Sequence, residues 1–171
     1  MTIYPMAIGG SCLIASIIGT FFVRLGKSQS IMGALYKGFI ASAILSLLFI
    51  YPVTQYILGD MSNTFSFAET SFNGNSLYIC ALIGIVITGL LIWITEYYTG
   101  TSYRPVKSVA LSSTTGHGTN VIQGLAVSME ATAIPALIIV AGILITNSIA
   151  GLFGIAIAVT TMLALAGMVV A

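Results

Sequence analysis

The chain has 171 residues, of which 58% are hydrophobic and 5% are charged, and its formal net charge is +1. A typical soluble domain is about 25% charged, so this composition excludes a soluble globular protein. The near-neutral balance also gives no sign of a nucleic-acid-binding surface, which would be strongly basic. Cys12 and Cys80 lie inside apolar runs without Cys-x-x-Cys spacing, which favours packing residues over a disulfide or a metal site.

Five long apolar runs fill most of the chain, and each is long enough for a transmembrane helix, which needs about 20 apolar residues. The runs do not alternate between apolar and polar residues, so membrane β-strands are not favoured. No basic segment precedes the first run, so it is not a signal peptide. The composition therefore predicts an all-α membrane protein, a single transmembrane region spanning residues 1–171. The five transmembrane helices are predicted at about 4–25, 35–57, 76–97, 121–146 and 151–171.

The basic residues fall in alternate gaps between the runs, and this distribution predicts a topology. Lys and Arg concentrate in cytoplasmic loops, so the first and third gaps are expected inside. The N-terminus then faces outside and the fifth helix ends at the cytoplasmic face. The basic residues concerned are Arg24, Lys27 and Lys37 in the first gap and Arg104 and Lys107, joined by His117, in the third.

The connections follow from the same pattern. Residues 58–75, which include Asp60 and Glu69, are expected to form a solvated external loop, and residues 147–151 a tight external turn. Residues 100–120 are expected to be the longest cytoplasmic segment.

Two features suggest a packed bundle that continues beyond this chain. Small residues recur at four-residue spacing, for example Ser11, Ala15 and Gly19, and such faces let helices approach closely in lipid. The fifth run reaches Ala171 with no polar residue after it, which would leave helix-end carbonyls unpaired near the interface. The chain is therefore expected to be an internal fragment of a longer membrane protein.

Glu130 is a candidate functional residue because an ionisable group inside a membrane helix is costly. It could carry a proton. The favoured alternative is that it lies near the cytoplasmic end, where it meets water or a basic loop residue.

Glu96 lies near the cytoplasmic end of the third helix, next to Tyr97 and among the aromatic residues of an interfacial belt. It is expected to pair with Arg104 or Lys107 rather than to carry ions.

His117 is interpreted as a loop or helix-start residue, with Thr119 or Asn120 as the helix cap. The residues contain no Ser-His-Asp set, no paired carboxylates and no metal-ligand spacing, so no hydrolytic site is predicted from them.

One ordered series of motifs is more specific. The segments Ile94–Thr99 (ITEYYT), Arg104–Val106 (RPV) and Thr115–Ala126 (TGHGTNVIQGLA) resemble the membrane-integral pyrophosphatases. The similarity is dense from Leu91 to Ala171 and looser before it. The resemblance implies a homodimer of about sixteen helices per subunit, in which this chain corresponds roughly to the seventh to eleventh helices alongside the remaining helices of its parent.

The resemblance also implies hydrolysis of inorganic pyrophosphate with Mg2+ at the cytoplasmic face, coupled to outward movement of protons or sodium ions. The magnesium and catalytic residues of that family match nothing in this chain, so no catalytic, cofactor-binding or metal-binding residue is assigned. Glu96 and Tyr97 match a family motif and are expected to be structural or coupling positions. Glu130, a third such candidate, matches a position where the family does not require a carboxylate.

The residues of the Gly116–Gly124 motif resemble those of the proton-pumping, potassium-insensitive members. This resemblance implies a multi-pass protein of a prokaryotic inner membrane. Three alternatives remain open. One is a sodium-pumping member of the same family. Another is a helical transporter without hydrolysis, for which Pro135 is the candidate helix break. The last is a non-catalytic packing subunit.

Overall fold

The computed structural model describes residues 3–23, 31–59, 64–67 and 70–170, and this part of the chain is mainly helical. A short two-stranded sheet lies between the second and third helices. The elements are α1 (Ile3–Thr20), α2 (Ile31–Leu58), β1 (Thr64–Phe67), β2 (Thr70–Asn73), α3 (Gly74–Thr99), α4 (Arg104–Ser112) and α5 (His117–Val170).

Among the described residues, four helices are long and apolar enough to cross a membrane, whereas the sequence predicts five. The difference lies in α5, whose 54 residues include both the fourth and the fifth predicted spans. Its backbone departs from helical geometry at Ala150 (φ −143°, ψ 21°) and Gly151 (φ 59°, ψ −151°). The positive φ at Gly151 is readily adopted only by a residue without a Cβ atom. The turn predicted over residues 147–151 is thus confined to two residues.

The residues cluster into two compact units, one of residues 1–88 with 142–171 and the other of residues 89–141. In the first unit, α3 is packed against the part of α5 that precedes the break. Gly142 lies against the side chain of Ile87, and Gly154 lies close to both Cys80 and the carbonyl oxygen of Thr146. Residue 142 thus lies beside residue 87 of α3, whereas the later residue 146 lies near the earlier residue 80 of α3. This part of α5 therefore runs antiparallel to α3.

The part of α5 after the break runs parallel to α3. Gly84 packs directly against Ala158 and Thr161, four to seven residues beyond the contact of Gly154 with Cys80. The Thr161 hydroxyl donates a hydrogen bond of 2.8 Å to Ala158 O of its own helix and also lies 3.4 Å from the carbonyl oxygen of Ala81. The chain therefore reverses direction at Ala150 and Gly151, and the two parts of α5 are a helical hairpin.

The core of the first unit is built around the start of α1. Tyr4 is fully buried, and its hydroxyl is 2.9 Å from the Thr54 hydroxyl of α2. Gly19, near the other end of α1, lies against Ser42. Residues 4 and 19 meet residues 54 and 42, so α1 and α2 are antiparallel. Cys12 and Cys80 are buried free thiols.

Within the segment predicted as a solvated loop, the described residues 64–67 and 70–73 form two β-strands, which corrects the prediction. β1 and β2 pair antiparallel, with Thr64 opposite Asn73 and Phe67 opposite Thr70. Phe72 is buried, and its ring stacks on that of Phe153 at 5.5 Å. The hairpin therefore contributes the Phe72 side chain to the core.

Other boundaries also differ from the predicted ones. α1 ends at Thr20, where the chain turns through hydrogen bonds from Phe21 N to Ile18 O and from Phe22 N to Gly19 O. Residues 100–120 are not a plain loop, because they contain α4 and the start of α5. α4 was missed because its residues are amphipathic rather than uniformly apolar. The predicted loop charges Arg24, Lys27, Asp60 and Glu69 lie outside the described residues.

Candidate functional site: a cavity between α3 and α5

In the second unit, the end of α3 and the first half of α5 line a half-open cavity of about 500 Å³. Its lining combines aliphatic residues of both helices with three aromatic residues and one carboxylate. The lining residues are Leu90, Trp93, Ile94, Tyr97, Tyr98, Glu130, Ile134 and Ile138.

The cavity has a polar end and an apolar end. The Glu130 side chain is exposed, and it lines the cavity together with Tyr98, close enough for its carboxylate to interact electrostatically with the Tyr98 hydroxyl. Tyr98 is the penultimate residue of α3, so Glu130 lies level with the end of that helix, although α5 begins 13 residues earlier at His117. From the sequence, the depth of Glu130 in the membrane is inferred only from its distance to the start of its own helix.

Aromatic contacts hold the polar end together. The rings of Tyr97 and Tyr98 meet edge to face at 5.2 Å, and Tyr97 also lies 5.3 Å from Tyr103. Such pairs contribute about 0.5–1.5 kcal/mol beyond the area that they bury. The tyrosines are therefore positioned by one another as well as by α3.

Of the three predicted structural or coupling positions, the cavity brings together Tyr97 and Glu130, while Glu96 is half-buried on an adjacent position of α3. The carbonyl oxygen of Glu96 accepts a hydrogen bond of 2.7 Å from Gly100 N, which closes the helix end. The pairing of Glu96 with Arg104 or Lys107 stays a prediction. Sequence reasoning missed Tyr98 as the partner of Glu130, since nothing in the sequence relates residues that are 32 positions apart.

A helical hairpin formed by α4 and the start of α5 follows the cavity. Gln123 Nε2 donates a hydrogen bond of 3.2 Å to Ser108 Oγ, and Thr119 Oγ1 donates one of 3.1 Å to Ser112 O. A second cavity, of about 390 Å³, lies between Tyr98 and this hairpin. The Asn120 side-chain oxygen, next to this cavity, is buried and has no hydrogen-bond partner among the residues that the structure describes.

The start of α5 differs from the predicted cap. The helix begins at His117, after Gly116 with φ 147°, so Thr119 and Asn120 are inside it and are not caps. The Thr119 hydroxyl lies 2.9 Å from Gly116 O as well as 3.1 Å from Ser112 O, so its one proton is shared between the two carbonyl oxygens. Pro135 also lies inside α5, and the non-helical residues occur 15 positions later, so the proposed helix break at Pro135 is wrong.

Comparison with known proteins identifies the family. The family model described as inorganic H+ pyrophosphatase matches residues 1–171. The chain belongs to this family. The resemblance seen in the motifs of residues 91–171 is confirmed, and it extends over the whole chain.

Several curated relatives are close in sequence. The chain is 57% identical over 168 residues to "Pyrophosphate-energized proton pump 2" of Mycoplana dimorpha, covering 98% of this chain and 80% of that relative. It is 41% identical over 177 residues to "K(+)-insensitive pyrophosphate-energized proton pump" of Methanosarcina mazei, covering 99% of this chain and 24% of that relative. The chain is therefore a partial region of such pumps. The apolar helices and these relatives together make it part of a multi-pass membrane protein.

Membership of a pyrophosphatase family implies a divalent metal requirement in general. Within the residues that the structure describes, no group of three or more His, Cys, Asp or Glu side chains lies together to hold a metal ion. A magnesium ion bound to phosphates needs oxygen ligands, mainly carboxylates. The described residues do not fit such a site. The cavity that holds Glu130 offers one carboxylate and the hydroxyls of Tyr97 and Tyr98, which suits binding of a cation or a hydrogen-bond donor.

Proposed function

We propose that this chain is a membrane region of a pyrophosphate-energised pump that hydrolyses inorganic pyrophosphate at the cytoplasmic face and moves protons outward without requiring potassium. The observation that carries the proposal is its similarity to potassium-insensitive proton pumps over 99% of the chain, at 41% and 37% identity. Both relatives are about four times longer than the matched region.

The proposed role of the region is to support the pump's architecture. The α3–α5 and α1–α2 pairs are packed through glycine and small polar residues, which suits closely spaced helices in a bundle. Magnesium and pyrophosphate are bound by helices outside this chain. The parent is a homodimer in a prokaryotic inner membrane, with the N-terminal end of this region outside and its C-terminal end cytoplasmic.

In this proposal, Glu96 and Tyr97 position the end of α3 and the turn that leads to α4. The Glu96 carbonyl closes the helix, and Tyr97 contacts Tyr98 and Tyr103 on either side of that turn. Glu130 lies at the level of the same helix end and contacts Tyr98. Its position suits a structural role better than that of an obligatory proton carrier deep in the membrane.

The test uses the full-length parent protein in sealed inverted membrane vesicles. Pyrophosphate with magnesium should acidify the vesicle lumen, measured with a pH-sensitive dye, to the same extent with and without potassium. Sodium should not be required, and a protonophore should abolish the signal while hydrolysis continues. A requirement for potassium, or uptake of labelled sodium without acidification, would contradict the proposal.

A further inference from the structure

The cavity between α3 and α5 is chemically asymmetric along its length. At one end, Glu130 and Tyr98 line the cavity together with Tyr97, whose ring contacts that of Tyr98, and Trp93 lines it about one helical turn before Tyr97. At the other end, the walls are aliphatic and continue along α3 and α5 away from the helix end. A ligand that fills this space has a polar, positively charged group joined to a hydrocarbon part.

The polar end selects for a cation that can donate hydrogen bonds. A carboxylate attracts a positive charge, and hydrogen bonds between ionised groups are stronger than neutral ones. Aromatic faces add attraction for a cation placed over the ring. A primary ammonium group has three N–H donors, which can be shared between Glu130 and Tyr98. A trimethylammonium group has no N–H donor for these oxygens.

The location indicates that such a cation comes from the membrane itself. Trp93 is 61% exposed and Tyr97 is 40% exposed, although both are aromatic. Tryptophan and tyrosine concentrate at the level of the lipid headgroups, and these residues are in the last two turns of α3. The aliphatic end of the cavity then extends toward the hydrocarbon interior, where an acyl chain would lie.

We propose that this cavity binds a phospholipid with an ethanolamine headgroup. Its ammonium group lies between the Glu130 carboxylate and the Tyr98 hydroxyl, and one acyl chain lies along Ile134 and Ile138. The lipid neutralises a carboxylate at the membrane surface and fills the space between the two helices. This goes beyond the proposed pumping function and does not depend on which ion is pumped.

The first experiment measures lipid retention by native mass spectrometry of the full-length parent. The protein is equilibrated with equal amounts of ethanolamine, choline and glycerol phospholipids that carry the same acyl chains. The wild-type protein should retain the ethanolamine lipid in preference to the other two. Glu130→Gln should weaken that preference about three- to tenfold, whereas the matched control Glu96→Gln, on a carboxylate outside the cavity lining, should keep it. Equal retention of the three lipids by the wild type, or an unchanged preference in Glu130→Gln, would overturn the proposal.

The second experiment leaves Glu130 intact and so does not depend on the folding of that variant. A photoreactive amino acid replaces Ile138, at the apolar end of the cavity, and the full-length protein is irradiated in membranes. We expect crosslinks to phospholipid, identified by mass. Crosslinks only to another segment of the parent, or to a second copy of the chain, would show that protein fills the cavity and would overturn the proposal.

Discussion

Gly84 provides a sharp test of the packing of α3 against the second part of α5. A Cβ atom at Gly84 would lie 2.5 Å from the carbonyl oxygen of Ala158 and 3.1 Å from its Cα, and it would also collide with the Thr161 hydroxyl. The Thr161 side chain can rotate, but the Ala158 backbone cannot move without shifting the helix. Gly84→Ala therefore forces the two helices apart by about 1 Å to restore ordinary contact distances.

The expected magnitude follows from two opposing effects. Overpacking a close contact costs about 1–3 kcal/mol, and replacing glycine by alanine in a helix returns up to about 1 kcal/mol. With the full gain subtracted, the free energy of unfolding should fall by up to about 2 kcal/mol, and the difference from a variant that has only the gain should be about 1–3 kcal/mol. Gly10→Ala is the matched control, because within the described part of the chain no atom beyond its own helix backbone and neighbours lies within 4 Å of a Cβ at Gly10. Gly10→Ala is therefore expected only to gain stability from the higher helix propensity of alanine.

The measurement is thermal unfolding of the full-length parent in one detergent, with pyrophosphate absent so that ligand binding does not mask the difference. Gly84→Ala should lower the unfolding midpoint by several degrees relative to the wild type, while Gly10→Ala should leave it unchanged or raise it slightly. If Gly84→Ala is as stable as Gly10→Ala, the close contact between α3 and the second part of α5 does not exist in the protein.

Three further predictions concern activity and topology. Glu130→Gln in the full-length parent should change hydrolysis and proton pumping by less than about twofold; loss of pumping in a correctly inserted protein would identify Glu130 as a proton carrier instead. The purified 171-residue chain should release no phosphate from magnesium pyrophosphate above a mock preparation, because the described residues offer no cluster of metal ligands. Cysteines introduced at the exposed residues Asn73 and Thr114 should react with an impermeant thiol reagent from opposite sides of sealed vesicles; labelling from one side would refute the topology.

The sequence was sufficient to predict the helices because hydrophobic runs of membrane length have few alternatives in lipid. It was less informative where the pattern was short or mixed. The sequence of α4 is short and amphipathic and includes Arg104 and Lys107, so its pattern favours a loop. Pro105, in the first turn, is nevertheless a residue typical of helix starts. The β-hairpin was also detectable in principle, since Phe alternates with polar residues on both sides of residues 68–69.

The cavity itself could not be predicted from the sequence. It depends on the register in which α5 packs along α3, and that register places Glu130 beside Tyr98 rather than beside any other residue of the helix end. Helix–helix register in lipid is set by the shapes of small and large side chains on both helices. No local pattern in the sequence encodes it.

The reversal at Ala150 and Gly151 has a mechanical consequence. The helical parts of α5 are joined by two non-helical residues, Ala150 and Gly151. Because this connection is too short to extend, the two parts cannot slide past each other along their axes. A displacement of the part before the break toward one membrane face must carry the part after it by the same distance. Gly154 beside Thr146 adds a contact that keeps this hairpin closed. Movement in the pump that reaches one of these two helices is therefore delivered to the other as a rigid translation, not absorbed between them.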